Sequence, residues 1–315
     1  MQPTWTLLVM SFCCFNMVRS QELETRDKIS IGVDAAVNRN HNVYTYKYVI
    51  NNSAEAKQAI WKFMVLLPGV QDLGGLESPP EWNKLLREDL AAANWFAQAK
   101  NDSDEFKDEI IPGAMRGGFS YWTSIIPGVV TYYAEGWADF PTFPQGMATD
   151  SIPGYDDLTP YGPGVVGRTI GPVRPLIPFV HLTFLDTLLS YTRQSAELGW
   201  LGKERDNDCD GDERPEDGII RNIELRLQKA RRELERGDSV KARGELQKLV
   251  GKVERIRKRS EKEEERKHGK DRKTWWRRDK DEKAMMTSEA YALLKYNTEY
   301  LLERLPEPKR HKGRD

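Results

Sequence analysis

The residues best arranged for chemistry are Asp206, Asp208, Asp210 and Asp212, which alternate with Asn207, Cys209 and Gly211 in one acidic run. Carboxylates at the first, third and fifth positions, with glycine at the sixth, aim oxygens at one centre and let the chain turn tightly behind it. A hard divalent cation takes about six to eight oxygen ligands, and without an ion the clustered carboxylates repel one another. The backbone carbonyl of Asp212 and the side chain of Glu216 or Asp217 can complete the shell. The expected ion is Ca2+, held by Asp206, Asp208, Asp210, Asp212 and Asp217 in a structural role that sets the angle between two parts of the chain. A solvated acidic linker is the alternative reading.

Other chemistry has weaker support. His41, His181, His268 and His311 lie far apart, and no two have metal-ligand spacing. There is no Gly-x-Ser-x-Gly elbow and no phosphate loop in the chain. Cys209 sits among acids that disfavour its thiolate, the wrong direction for a nucleophile. Paired carboxylates that cleave glycosides need no local motif, so this enzymatic alternative stays open. Trp61, Trp82, Trp95, Trp122, Trp137 and the pair Tyr132–Tyr133 are candidates for a sugar-stacking platform, although most are expected in the core. The segment 255–283 carries Arg257-Lys258-Arg259 and Trp275-Trp276-Arg277-Arg278, but interleaved acids such as Glu263, Glu264, Asp279 and Asp281 neutralise its field. It is expected to be a solvated helix extension or a disordered insert, and no nucleic acid partner is expected.

Several segments must position these groups. Residues 1–20 are mostly apolar from Trp5 to Val18, with Val18 and Ser20 at the two small-residue positions of a signal peptidase site. Cleavage after Ser20 is expected, although no Lys or Arg precedes the apolar run. The protein is then secreted, periplasmic or displayed at the cell surface, with no transmembrane segment left after signal removal. Of three cysteines, Cys13 and Cys14 leave with the signal and Cys209 stays, so the fold must rest on its core rather than on disulfides. The net charge of −1 hides a split: residues 21–218 carry 17 Lys+Arg against 30 Asp+Glu, and residues 219–315 carry 30 against 19. The sign change marks a boundary between two halves with different roles and allows them to attract one another.

The first half, residues 21–198, reads as a β-sandwich. Residues 43–50 are β-branched and aromatic, with Tyr44, Tyr46 and Tyr48 on one face of a strand and Asn51-Asn52-Ser53 ending it. Residues 60–67, 94–99, 118–123 and 129–135 are further strand candidates, separated by signals such as Pro68-Gly69, Pro112-Gly113 and Pro127-Gly128. Proline and glycine recur through 137–178, which predicts a long irregular loop. Phe179 to Tyr191 is either a last strand or a short helix leading out. Tyr44-x-Tyr46-x-Tyr48-Val49-x-Asn51-Asn52, Ser78-Pro79-Pro80-x-Trp82, Ile111-Pro112-Gly113 with Gly118-Phe119-Ser120, and Ile126-Pro127-Gly128 together resemble a group of uncharacterised exported bacterial proteins. The resemblance spans most of 43–136 and implies an immunoglobulin-like sandwich without supplying an activity.

The acidic linker is 199–218, and from there the hydrophobic period becomes helical. Ile223, Leu227, Ala230 and Leu234 form one stripe. Ala242, Leu246, Leu249, Val250, Val253 and Ile256 form a second after a break at Gly237-Asp238-Ser239, where Asp238 or Ser239 can cap. A third helix after Thr287 or Ser288 carries Ala290, Leu293, Leu294, Asn297, Leu301 and Leu302. These predict a small antiparallel helical bundle over 219–305, with a charged insert at 255–283 and a basic tail at 306–315. The pattern Leu-x-x-Ala…Leu-x-x-Gly-Asp-x-x-x-Ala…Leu, preceded by Leu198-Gly199-Trp200 and Asp217-Gly218-Ile219, is similar to FIVAR-type helical modules, from which the charged insert departs. The acidic loop is similar to the start of an EF-hand or a thrombospondin repeat. It departs at Glu213, where an EF-hand has an aliphatic residue, at Pro215, and at Asp217, where it has glutamate. The expected protein is a non-enzymatic binding or structural protein acting on an extracellular protein or polysaccharide. The alternative is a carbohydrate-binding or glycoside-cleaving domain.

Overall fold

In the computed structural model, which describes residues 27–70, 73–87, 91–98, 108–137, 164–202, 218–270 and 285–306, the tyrosine run 43–52 is a strand with a strict two-residue period. Tyr44, Tyr46, Tyr48 and Ile50 point inward and are buried, while Val43, Lys47 and Val49 face solvent. It is the second of nine strands among the described residues: β1 (Ile31–Asn40), β2 (Val43–Asn52), β3 (Ile60–Leu66), β4 (Gly74–Glu77), β5 (Trp82–Arg87), β6 (Ala92–Ala97), β7 (Met115–Thr123), β8 (Pro127–Gly136) and β9 (Val165–Pro172). They form two sheets, in the orders β1-β2-β7-β4 and β5-β6-β3-β8-β9, with every recorded pairing antiparallel.

Large aromatic rings fill the space between the sheets. Phe63 of β3 and Tyr121 of β7 both stack with Trp95, with centroids 5.7 and 6.2 Å away, and Trp82 meets Phe119 edge-on at 5.0 Å. Burying Tyr46, Tyr48 and Tyr121 here is tolerable because their hydroxyls find acceptors. Tyr46 donates to Ile125 O at 2.8 Å and Tyr48 donates to Ile170 O at 2.8 Å. Because the single proton of Tyr48 is spent on that carbonyl, Tyr121 is the donor in the 2.6 Å contact between the two hydroxyls. The chain Tyr121–Tyr48–Ile170 therefore ties the first sheet to β9 of the second.

Four elements depart from the sequence expectation. β1, β4 and β5 lie outside the predicted strands; their alternation is blurred because one side of each is a polar edge or a short turn-like run. β9 lies inside the region predicted to be irregular on its Gly and Pro content. In this edge strand the glycines mark close approach rather than turns. A Cβ on Gly167 would collide with the Tyr132 ring, and one on Gly171 would collide with Val130. Pro127-Gly128, read as a turn, opens β8, where Pro127 faces Pro172 at the end of the ladder.

Four helices follow among the described residues: α1 (His181–Glu197), α2 (Gly218–Glu235), α3 (Ser239–Lys270) and α4 (Ser288–Arg304). The apolar run 179–191 thus becomes a helix, and α1 packs against α2 and α4 although it lies within the residues assigned to the sandwich. The stripe residues Ile223, Leu227, Ala230, Leu246, Leu249, Val253, Leu293 and Leu301 are buried. Gly237, at φ +79, turns α2 into α3, and Asp238 caps α3 by accepting from the Lys241 N–H at 2.9 Å. The first part of the charged segment 255–283 continues α3 through Lys270, and residues 271–283 lie outside the described residues.

Candidate functional site

β1 is an edge strand, and its outward backbone groups need partners. α4 supplies them. Glu289 accepts from the Ala35 N–H, Ser288 Oγ donates to Ala35 O at 2.7 Å, and the Tyr296 hydroxyl donates to Val37 O at 3.2 Å. The Tyr296 ring meets Tyr44 edge-on at 5.7 Å, and Asn297 Nδ2 donates to Pro127 O at the start of β8 at 2.8 Å. α4 therefore spans from the first sheet to the second, and one continuous apolar cluster joins both sheets to the helices. Glu289 is 3% exposed, and burial pushes its carboxyl above the ordinary value of 4.5, partly offset by the Ala35 N–H. At the rim Arg39 binds Glu299 at 3.2 Å and Glu303 at 2.5 Å.

A second polar cluster lies on the side of the second sheet away from the aromatic core. Lys62 of β3 and Glu135 of β8 are cross-strand partners with Nζ and Oε1 2.9 Å apart, and they are 6% and 4% exposed. Tyr133 donates to the same Glu135 oxygen at 2.8 Å. The Lys62 ammonium also stands 5.8 and 5.6 Å from the ring centres of Trp61 and Tyr133. Trp61 and Trp137 meet edge-on at 6.2 Å beside it. A charge buried this way is tolerated because its counter-charge and aromatic faces replace water.

The third feature is a cavity of about 460 Å3 under the connection from β9 to α1. Phe179 and Pro175 of that connection, Phe184 and Tyr191 of α1, Ile126 and Asn297 form much of its wall. Leu176, Ile177 and Val180 of the connection are 72%, 91% and 48% exposed.

Asp206, Asp208, Asp210, Asp212 and Asp217 all lie outside the described residues. Their flanks are fixed: Gly202 N donates to Met285 O at 3.0 Å, Leu201 bridges Met286, and α2 begins at Gly218. Among the described residues no three His, Cys, Asp or Glu side chains are grouped to hold a metal. Of the aromatic candidates, Trp82, Trp95 and Tyr133 are buried in the fold, whereas Trp122 is 47% exposed and lies across Gly74 and Gly75 of β4, where any Cβ would strike its ring. The sequence reading did not single out Lys62, Glu135, Glu289 or the cavity. One signal was present: Asn297 is the polar member of an otherwise apolar stripe.

No protein-family model matches the chain, and no curated protein matches it. Neither the resemblance to exported proteins nor the likeness to FIVAR-type modules thus gains a family match. Among solved structures, an uncharacterized protein from Nocardia farcinica with an immunoglobulin-like fold is 17% identical, with 38% of this chain and 89% of that one covered, at a TM-score of 0.25. The two facing sheets are read from strand pairing and the shared core, independently of that likeness. No helix among the described residues is long and apolar enough to cross a membrane.

Proposed function

We propose that this is a non-catalytic binding and structural protein that works outside the cytoplasm, secreted, periplasmic or at the cell surface, with an extracellular protein or polysaccharide as partner. The finer architecture in this reading is an immunoglobulin-like sandwich followed by a small antiparallel helical bundle. Its support is the α4 seal on β1, which joins the sheets and helices through one core and makes a rigid carrier of both. Asp206, Asp208, Asp210, Asp212 and Asp217 hold a structural Ca2+ in this reading, in a loop whose two ends are anchored by the Gly202–Met285 hydrogen bond and by α2. Calorimetric titration of the chain beginning at Gln21 with Ca2+ tests it. Saturable binding and a raised melting temperature are expected, both lost in Asp208→Ala/Asp210→Ala. Absence of heat and of a melting shift would reduce residues 203–217 to a solvated linker.

A carbohydrate-binding or carbohydrate-cleaving role is the second reading, and the exposure of Trp122 on a sheet face favours it. Trp82 offers no such surface, being 3% exposed with its indole N–H donating to Asp108 O at 2.9 Å.

A further inference from the structure

The connection from β9 to α1 holds apolar side chains in solvent. Leu176 and Ile177 are 72% and 91% exposed, Pro178 is exposed beside them, and Val180 follows at 48%. Single exposed apolar residues are ordinary, whereas a contiguous exposed run marks an interaction surface. The tip is fixed at both ends. The Val173 N–H donates to Ile126 O at 2.9 Å before it, and after it the Phe179 ring packs on Phe184 at 5.2 Å and on Tyr300 at 5.7 Å. Pro175 and Pro178 bracket the pair and restrict the backbone there.

Cations gather at the same end of the molecule. The Arg304 guanidinium stands 3.3 Å from the ring centre of Tyr300 and 5.6 Å from that of Phe179, and the His181 ring contacts Arg304 O at 3.1 Å. α4 therefore ends against the connection that carries the tip. The residues that follow Pro306 include Lys309, Arg310, Lys312 and Arg314 against Glu307 and Asp315. The turn into α3 lies here too, because Arg243 donates to Leu305 O at 2.7 Å, and it adds Val240, 52% exposed, beside Lys241. The acids at this end have cation partners: Asp186 and Glu235 pair with Arg231, Glu233 with Arg236, Asp238 with Lys241 and Glu303 with Arg39. An apolar tip beside cations has the makeup of a peripheral membrane contact, in which hydrocarbon enters the headgroup boundary and the cations meet anionic lipid. A short apolar element binds weakly alone, and an electrostatic signal makes the attachment stable. A protein partner needs a pocket that matches the projecting tip, whereas a fluid lipid surface accepts both tip and cations without fixed geometry.

We propose that this end of the molecule docks on an anionic lipid bilayer, with Leu176, Ile177 and Val180 entering the headgroup boundary and Arg304 and the basic residues after Pro306 lying against the lipid charges. The contact does not involve the Ca2+ loop, so its failure leaves the function proposed above standing.

The test uses the chain from Gln21 onward, because residues 1–20 carry an apolar run of their own and the described contacts start at Asp27. Vesicles of phosphatidylcholine, alone or in equal parts with phosphatidylglycerol, are the probe in a flotation assay. The mixed vesicles should bind at least tenfold more tightly, and added salt should weaken that binding. Leu176→Ser/Ile177→Ser should lower the affinity at least tenfold at an unchanged melting temperature, since both side chains already stand in solvent. If that variant melts lower, Ile177→Ser alone replaces it. Ending the chain at Pro306 should remove most of the salt dependence. Met115→Ser, on β7 and 50% exposed, should change nothing and separates the tip from general stickiness. Absence of binding, equal binding to both vesicles, or binding untouched by a folded serine variant overturns the proposal. A concentration-dependent dimer that the serine pair abolishes, without vesicle binding, would assign the tip to a second copy of the chain and overturn the lipid partner.

Discussion

Lys62 and Glu135 form an ion pair 2.9 Å long in a place almost closed to water, and Tyr133 donates to the same carboxylate oxygen. The charges hold each other in place, because either one alone would stay buried without its counter-charge. Lys62→Met or Glu135→Leu should each cost about 3–5 kcal/mol in denaturant unfolding. Replacing both, with Tyr133→Phe to avoid stranding its hydroxyl, should recover most of that loss, since apolar residues of similar volume avoid the desolvation penalty. Single losses that simply add in the combined variant would show the pair has no mutual dependence. Nothing in the sequence announced the pair: a lysine in a β-rich run reads as an outward-facing residue, and only the β3–β8 register sets it beside Glu135.

The joint between α4 and β1 depends on three side chains aligned with two backbone positions. Ser288 and Glu289 serve Ala35, and Tyr296 serves Val37 about two turns later. Glu289 has a pH signature there. Burial raises its folded pKa above the ordinary value, so its favourable contribution is complete below the unfolded pKa and is lost as pH rises through the folded one. Stability should therefore fall through this group as pH rises above its ordinary value of 4.5 and passes through the raised folded value. Glu289→Gln keeps an oxygen for the Ala35 N–H and carries no charge. It should flatten that part of the profile and leave the protein at least as stable at neutral pH, measured by thermal melting across the range. An unchanged pH profile in Glu289→Gln would remove Glu289 as its source. The α4 stripe was legible in the sequence as an apolar face. Its target was not, because a helical period says which side is buried and not against what.

At the scale of the molecule, the two halves meet through a shared core rather than through their opposite net charges. Among the described residues, ion pairs between the halves run both ways: Arg39 with Glu299 and Glu303, and Arg193 with Glu224, oppose the bulk charge, whereas Arg231 with Asp186 follows it. With one cluster running from Trp95 through Tyr44 to Leu293, sheets and helices should unfold together. The near-ultraviolet signal of the aromatic sandwich and the helical signal at 222 nm should share one melting midpoint. Two separated transitions would show that the halves fold independently.

The sequence by itself determined the features that repeat over short distances. The tyrosine face of β2 and the stripes of α2, α3 and α4 follow from periods within a few residues, and so does a cap at Asp238 or Ser239, of which the structure uses Asp238. Gly and Pro in 164–172 misled the reading because the same residues permit a turn or a close contact, and only the Tyr132 ring above Gly167 distinguishes the two. The tertiary structure decided the remainder: which helix seals the edge of β1, the placing of Lys62 beside Glu135, and the meeting of Asn297 and Tyr191 at one cavity wall. Each of these joins residues more than 70 positions apart, with β1 and α4 separated by 254. Such contacts depend on how whole elements stack, and no local period encodes them.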